Sequence, residues 1–167
     1  MFNTSKKKFI DDYQKVIPQI LSHQIIADTE TPISTLLKIS ENKKYSFLLE
    51  SVEGGKQRGR YSLLGCDPDL IWKINNGKVE LESLDNSINL NLFKKTNPLE
   101  SLRELLNFSK ISNIEIDTPY PVLVGYLGYS MIRYMEKIKL TNPDTLNIPE
   151  AVMIRPSLVA VFDNIKD

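Results

Sequence analysis

The chain has 167 residues, with 21 basic and 21 acidic side chains and a formal net charge of zero. That length fits one soluble globular domain, since one hydrophobic core serves roughly 100–200 residues, and we treat residues 1–167 as a single domain. A chain without excess positive charge has no basic surface with which to hold a nucleic-acid backbone, so we expect no nucleic-acid partner.

The first 40 residues predict two helices. Apolar residues at three- and four-residue spacing between Phe9 and Leu21 indicate an amphipathic helix that ends or kinks near Pro18. Thr31 followed by Pro32 is typical of a second helix start. Its buried face is expected to comprise Ile33, Leu36 and Leu37.

The middle of the chain predicts an antiparallel sheet. From Tyr45 to Glu82, apolar residues alternate with a period of two, which is typical of strands. Asn76-Gly77 indicates a two-residue hairpin turn, because a type I′ turn needs positive φ at both central positions.

The second half of the chain predicts both helices and strands. Residues 83–96 are polar and predict a loop or irregular edge, and Asn97-Pro98 is typical of the start of a helix. Residues 122–128 predict a buried strand, and Ser130 is positioned to cap a further helix. Residues 151–162 predict one or two strands around an Arg-Pro-Ser segment.

Together these elements predict the α+β class, with mainly antiparallel, sandwich-like β-sheets and flanking helices. The chain stops at Asp167, directly after a strand-like apolar run. We therefore expect it to be one piece of a longer polypeptide.

The composition argues against several kinds of site. Cys66 is the only cysteine, which excludes an internal disulfide or a cysteine-rich metal site. No apolar run approaches the roughly 18 residues of a membrane-spanning helix. The Lys-rich N-terminus is not followed by the apolar segment that is typical of a secretory signal. We expect a cytoplasmic domain with no membrane partner.

Two sequence features that invite a chemical interpretation do not support one. Gly54-Gly55-Lys56 is not a phosphate-binding loop, because Glu50 and Gln57 stand where that motif needs Gly and Ser or Thr. His23 is the only histidine and has no recognisable catalytic surroundings, which favours an ordinary surface histidine. Acidic residues also lack metal-ligand spacing, so we expect no metal or other cofactor bound by this domain.

The segment from residue 48 to residue 65 leaves two interpretations open. One is a β-hairpin with a long Gly-rich loop. The other is a small polar pocket at adjacent strand ends, where a carboxylate, hydroxyls and backbone groups fix the ammonium and carboxylate of an amino acid. The residues alone do not choose between them.

Several motifs in the same order resemble the N-terminal domain of anthranilate synthase component I, a member of the chorismate-utilising enzymes. The similarity runs from about Glu30 to Asp167 and is weakest between Leu84 and Thr96. The segments that carry it are Glu30–Ser34, Leu48–Gly55, Gly59–Ser62, Gly125–Tyr129 followed by Arg133-Tyr134, and Arg155–Asp163.

This resemblance implies a role in the complete subunit, which converts chorismate to anthranilate with Mg²⁺ and with ammonia from a glutamine amidotransferase partner, component II. Chorismate and Mg²⁺ belong to the C-terminal catalytic domain, which is absent from these residues, so no catalytic residue is assigned here. The N-terminal domain contributes the feedback site for its inhibitor, L-tryptophan. The implied ligand-binding residues are Leu49, Glu50 and Ser51 and, less directly, Arg60, Tyr61 and Ser62.

Two alternatives remain. Aminodeoxychorismate synthase component I shares this architecture and makes a folate precursor, although the Leu-Leu-Glu-Ser and Glu-Gly-Gly segments favour the anthranilate branch. A stand-alone amino-acid-binding module belongs to a different class.

Overall fold

A computed structural model of the chain describes residues 2–15, 17–53, 57–84, 88–93, 95, 97–111, 119–139, 141 and 143–165, with the backbone alone for residues 51–53 and 57–58. The helices are α1 (Lys6–Gln14), α2 (Pro32–Ile39) and α3 (Pro98–Ser109), with 3₁₀ turns at Leu90–Phe93 and Tyr129–Tyr134. The strands are β1 (Phe47–Glu53), β2 (Gln57–Asn75), β3 (Lys78–Ser83), β4 (Val124–Leu127) and β5 (Ala151–Asp163).

The five strands form one curled antiparallel sheet in which β2 is central. β5 pairs with β2 from the Tyr61–Asp163 pair to the Ile74–Ala151 pair. On its other edge β2 pairs with β1 in its first half and with β3 in its second half, while β4 pairs with the start of β5. The prediction of an α+β fold with a mainly antiparallel sheet and flanking helices is confirmed.

The predicted hairpin turn is present between β2 and β3. Asn76 has φ of 48° and Gly77 has φ of 75°, and the flanking residues Asn75 and Lys78 are paired. Both central residues thus have the positive φ that a type I′ turn requires.

A bulge bends the long β2–β5 pair near its middle. Pro68 pairs with Pro156 and Leu70 with Arg155, so Asp69 is an extra residue on β2. The Arg155 guanidinium donates from Nε and Nη2 to the two carboxylate oxygens of Asp69, at 2.8 Å each. The Arg-Pro-Ser segment therefore lies inside one continuous strand, and its arginine clamps the bend.

The main core lies between the second half of β2 and α3. Trp72 is fully buried, and Leu70 and Ile74 flank it on the same strand. The Trp72 indole N–H donates to Ser101 Oγ at 2.9 Å, and the Ser101 hydroxyl donates to the carbonyl of Phe93. Other buried members are Leu105, Met131 and Ala151.

Predictions for the first two helices were partly wrong. α1 ends at Gln14, and residues 17–22 are not helical, because proline at position 18 removes a backbone donor and disfavours helix in the residue before it. α2 begins as predicted, with reciprocal bonds between Thr31 and Ser34. Its predicted buried face is wrong at two of three positions: Ile33 is 56% and Leu37 is 69% exposed, whereas Leu36 is half-buried. Pro32, outside that predicted face, is buried.

Three predictions in the second half also need correction. The segment after β3 is not only a loop, because its 3₁₀ turn inserts Phe93 into the core. The strand before Gly128 is not buried as a whole, since β4 is an edge strand with only Val124 buried. Ser130 does not cap an α-helix: the segment is a 3₁₀ turn, and the Ser130 carbonyl accepts from the Arg133 guanidinium.

Candidate functional site

The predicted ligand residues lie where β1, β2 and β5 meet. Glu50 pairs with Ser62 and Leu49 with Leu63. Between the Glu50–Ser62 pair and the Val52–Arg58 pair, β1 contains one residue and β2 contains three, so the ladder is irregular there. The register thus places the predicted residues of β1 beside those of β2. The regular strand pairing is interrupted directly next to them.

A carboxylate and a hydroxyl meet on one face of this sheet. The Ser62 Oγ donates to Glu50 Oε1 at 3.5 Å. Ser62 is 2% exposed, whereas Glu50 is exposed. The carboxylate therefore remains accessible to a ligand while its neighbour is shielded from water.

The residue that follows β5 completes this group. Asn164 Nδ2 donates to Ser62 Oγ at 3.2 Å and to the Gly59 carbonyl at 2.9 Å. Sequence reasoning missed Asn164. The available signal was the polar pair Asp163-Asn164 directly after an apolar strand, but only the β2–β5 register shows that this pair lies beside Ser62.

Arg60 and Tyr61 form a second polar group at the same strand end. Arg60 donates to the Asp163 carboxylate from Nη2 at 3.0 Å and from Nε at 3.2 Å. Its guanidinium carbon lies 4.8 Å from the centre of the Tyr61 ring. The hydrogen bonds to Asp163 raise the pKa of Arg60, so this group stays cationic.

The six predicted residues do not all share one face of the sheet. Leu49 and Glu50 are neighbours on a strand, so their side chains point to opposite faces. Leu49 is 48% exposed beside Leu63. The Ser51 side chain lies outside the described residues, and whether these residues bind tryptophan stays a prediction.

The remaining sequence features have ordinary surroundings. His23 is exposed, and its ring lies 4.9 Å from that of Phe2. Cys66 is buried, donates to the Ile39 carbonyl, and has its pKa raised by burial. Gly54-Gly55-Lys56 lies outside the described residues.

Within the part of the chain that the structure describes, no group of three His, Cys, Asp or Glu side chains is arranged to hold a metal, and no helix has the length and apolarity to cross a membrane.

Known proteins share both the sequence and the fold of this chain, although no protein-family model matches it. Anthranilate synthase component 1 of Cereibacter sphaeroides is 41% identical over 168 residues, which cover 98% of this chain and 33% of that protein. The Thermus thermophilus protein of the same name is 32% identical over 142 residues, covering 85% of this chain and 29% of the relative. A crystal structure of anthranilate synthase component I from Streptococcus pneumoniae has a TM-score of 0.50 at 23% identity and covers 87% of this chain and 30% of its own.

The curled antiparallel sheet with its few helices is an α+β fold of the kind present in that solved component I structure. The sequence matches go further: the chain is homologous over most of its length to the N-terminal third of anthranilate synthase component 1 proteins. It spans about a third of the length of the relatives that it matches.

Proposed function

We propose that this chain is the regulatory, tryptophan-binding part of an anthranilate synthase component I that forms anthranilate from chorismate in the cytoplasm. The 41% identity over 98% of the chain to a protein of that name supports the assignment to this branch. On the basis of the homology, the proposal includes a C-terminal catalytic domain that binds Mg²⁺. It also includes a glutamine amidotransferase, component II, as the partner that supplies ammonia.

The observation that carries the binding part of the proposal is the exposed Glu50 carboxylate beside the buried Ser62 hydroxyl. A carboxylate only accepts hydrogen bonds, which suits the ammonium group of an amino acid. Leu48 is two residues from Glu50 and half-buried on the same face, where it offers apolar contact to the ligand side chain. The ligand class that these groups fit is a small zwitterion with an apolar side chain.

Inhibition follows from unequal binding to two states of the complete protein. Tryptophan lowers activity only if it binds more tightly to a less active arrangement of the domains, and useful coupling is about 1–3 kcal/mol. The regulatory proposal therefore predicts an effect on activity that is lost when the binding residues are changed.

A chimera tests this proposal. The chain replaces the matching third of the Cereibacter sphaeroides relative, and anthranilate formation from chorismate is followed with Mg²⁺ and ammonia, with and without L-tryptophan. We expect inhibition by tryptophan, and we expect Glu50→Gln to raise the half-inhibitory concentration about 10- to 100-fold, because a hydrogen bond to a charged group contributes about 1.5–3 kcal/mol.

Two further variants complete the design. Ser51→Ala, chosen from the family resemblance, is expected to weaken inhibition to a similar degree. Glu104→Gln makes the same change as Glu50→Gln at an exposed position of α3 and serves as the matched control. A chimera that makes anthranilate but ignores tryptophan contradicts the regulatory proposal, and a different product from chorismate contradicts the branch.

A further inference from the structure

We propose that Asn164 is a positioning residue for the amino-acid site: it orients the Ser62 hydroxyl toward Glu50 and thereby fixes the carboxylate that receives the ligand ammonium. This inference rests on the proposed function and extends it to a residue beyond those that the family resemblance implied.

Three hydrogen bonds hold Asn164 in a single orientation. Its backbone N–H donates to the Arg60 carbonyl at 2.7 Å. Its side-chain Nδ2 donates to the Gly59 carbonyl at 2.9 Å and to Ser62 Oγ at 3.2 Å. A backbone carbonyl only accepts, so the nitrogen and not the oxygen of the carboxamide must face Gly59, and both amide hydrogens are then used.

The orientation of Asn164 sets the direction of the next hydrogen bond. Ser62 has one hydroxyl proton, and its oxygen already accepts from Asn164. The proton is therefore free to point to Glu50 Oε1, 3.5 Å away, which can only accept. The chain of donors runs from Asn164 through Ser62 to Glu50.

Burial makes this direction matter. Ser62 is 2% exposed and Asn164 is half-buried, so water does not readily replace either partner. Aspartate at position 164 would have no amide hydrogens for Gly59, and it would accept the Ser62 proton that now points to Glu50. Asn164→Asp therefore reverses the hydrogen-bond chain, whereas Asn164→Ala only removes its first member.

The test compares these variants in the chimera with the Cereibacter sphaeroides relative. We expect Asn164→Ala to raise the half-inhibitory concentration of L-tryptophan about 2- to 10-fold and Asn164→Asp to raise it about 10- to 100-fold, following the magnitudes of neutral and charged hydrogen bonds. Asn89→Asp is the matched control, because the Asn89 oxygen accepts from the Asn91 N–H and a carboxylate can do the same. We expect the control to keep the inhibition of the parent chimera.

A double-mutant cycle separates positioning from general destabilisation. If Asn164 acts through Ser62, Asn164→Ala has no further effect on tryptophan inhibition once Ser62 is alanine. Equilibrium dialysis against L-tryptophan gives the same ratios for any variant whose activity is too low to assay, and thermal unfolding identifies variants that are not folded. If Asn164→Asp does not fold, the test uses Asn164→Ala, which retains the backbone hydrogen bond to Arg60.

The outcomes distinguish the two proposals. A parent chimera without tryptophan inhibition or binding overturns the proposed function, and this inference with it. An inhibited parent whose Asn164 variants bind tryptophan normally, or whose Asn164 and Ser62 effects simply add, overturns the positioning role alone. Larger loss with Asp than with Ala, together with a non-additive cycle, supports it.

Discussion

Replacing Ser101 with alanine removes two side-chain hydrogen bonds, which join α3 to the core strand β2 and to the 3₁₀ turn at Leu90–Phe93. The Ser101 hydroxyl accepts from the Trp72 indole N–H and donates to the carbonyl of Phe93. Trp72 and Ser101 are both 0% exposed, so no water replaces the lost partner. The Phe93 carbonyl still accepts from the Lys95 N–H at 2.9 Å, which leaves the indole N–H as the group without a partner.

The expected cost follows from that single orphaned donor. An unsatisfied buried donor costs about 1–3 kcal/mol. Alanine is a better helix former than serine by about 0.5 kcal/mol, which offsets part of this cost. We expect the free energy of unfolding to fall by about 1.5 kcal/mol and the Tm by about 3–6 °C for a chain of this size.

The chain provides its own probe for this measurement. Trp72 is the only tryptophan, so its fluorescence during a urea titration reports unfolding of the core directly. Ser46→Ala, at an exposed position, is the control and is expected to be neutral. A Trp72→Phe background, followed by circular dichroism, has no indole N–H to orphan, and there Ser101→Ala should have little effect. Equal costs in the two backgrounds would refute this account.

Three further predictions follow from other parts of the fold. Gly77→Ala puts a side chain at φ of 75°, and thermal unfolding should show a loss of about 1–2 kcal/mol; an unchanged Tm contradicts the turn assignment. Gly125→Ala places a Cβ 1.9 Å from the Val152 carbonyl oxygen, so hydrogen exchange should speed up in β4 while β2–β3 amides stay protected, and slow exchange in β4 would argue against this packing. Burial, and then the nearby Glu150 carboxylate, raise the pKa of Tyr134 in the folded chain. The stability that this shift contributes is therefore complete below the unfolded pKa of about 10, and it is lost as the pH rises through the higher folded pKa. Tyr134→Phe should therefore lose less stability between neutral and strongly alkaline pH than the parent chain, and equal losses would contradict the shift.

Local signals in the sequence predicted the parts of the fold that local interactions determine. Asn76-Gly77 specifies its own backbone conformation, and Thr31-Pro32 contains its own cap, so both were correct. The wrong predictions for α2 and β4 concern burial, which depends on distant partners. Ile33 and Leu37 have helical spacing, but the side of α2 that meets the sheet is set by packing that no local pattern encodes.

The candidate site shows the same division. The family motifs placed Glu50 and Ser62 in the predicted set, and the hairpin register made them partners. Asn164 reaches them from 102 residues beyond Ser62, through the pairing of β5 with β2. In the sequence, a polar residue after a strand indicates only an ordinary turn. The sheet topology is what reveals this contact.

The pairing of β5 with most of β2 also sets the order in which the molecule can assemble. β2 can pair with β1 and β3 through short connections, but Arg60 and Asp163 are 103 residues apart. At about 5–20 residues per second, synthesis separates these two strands by roughly 5–20 s. During that interval the backbone edge of β2 that later pairs with β5 has no partner from that strand. Nascent chains that end before β5 should therefore be the species that aggregate or that chaperones hold.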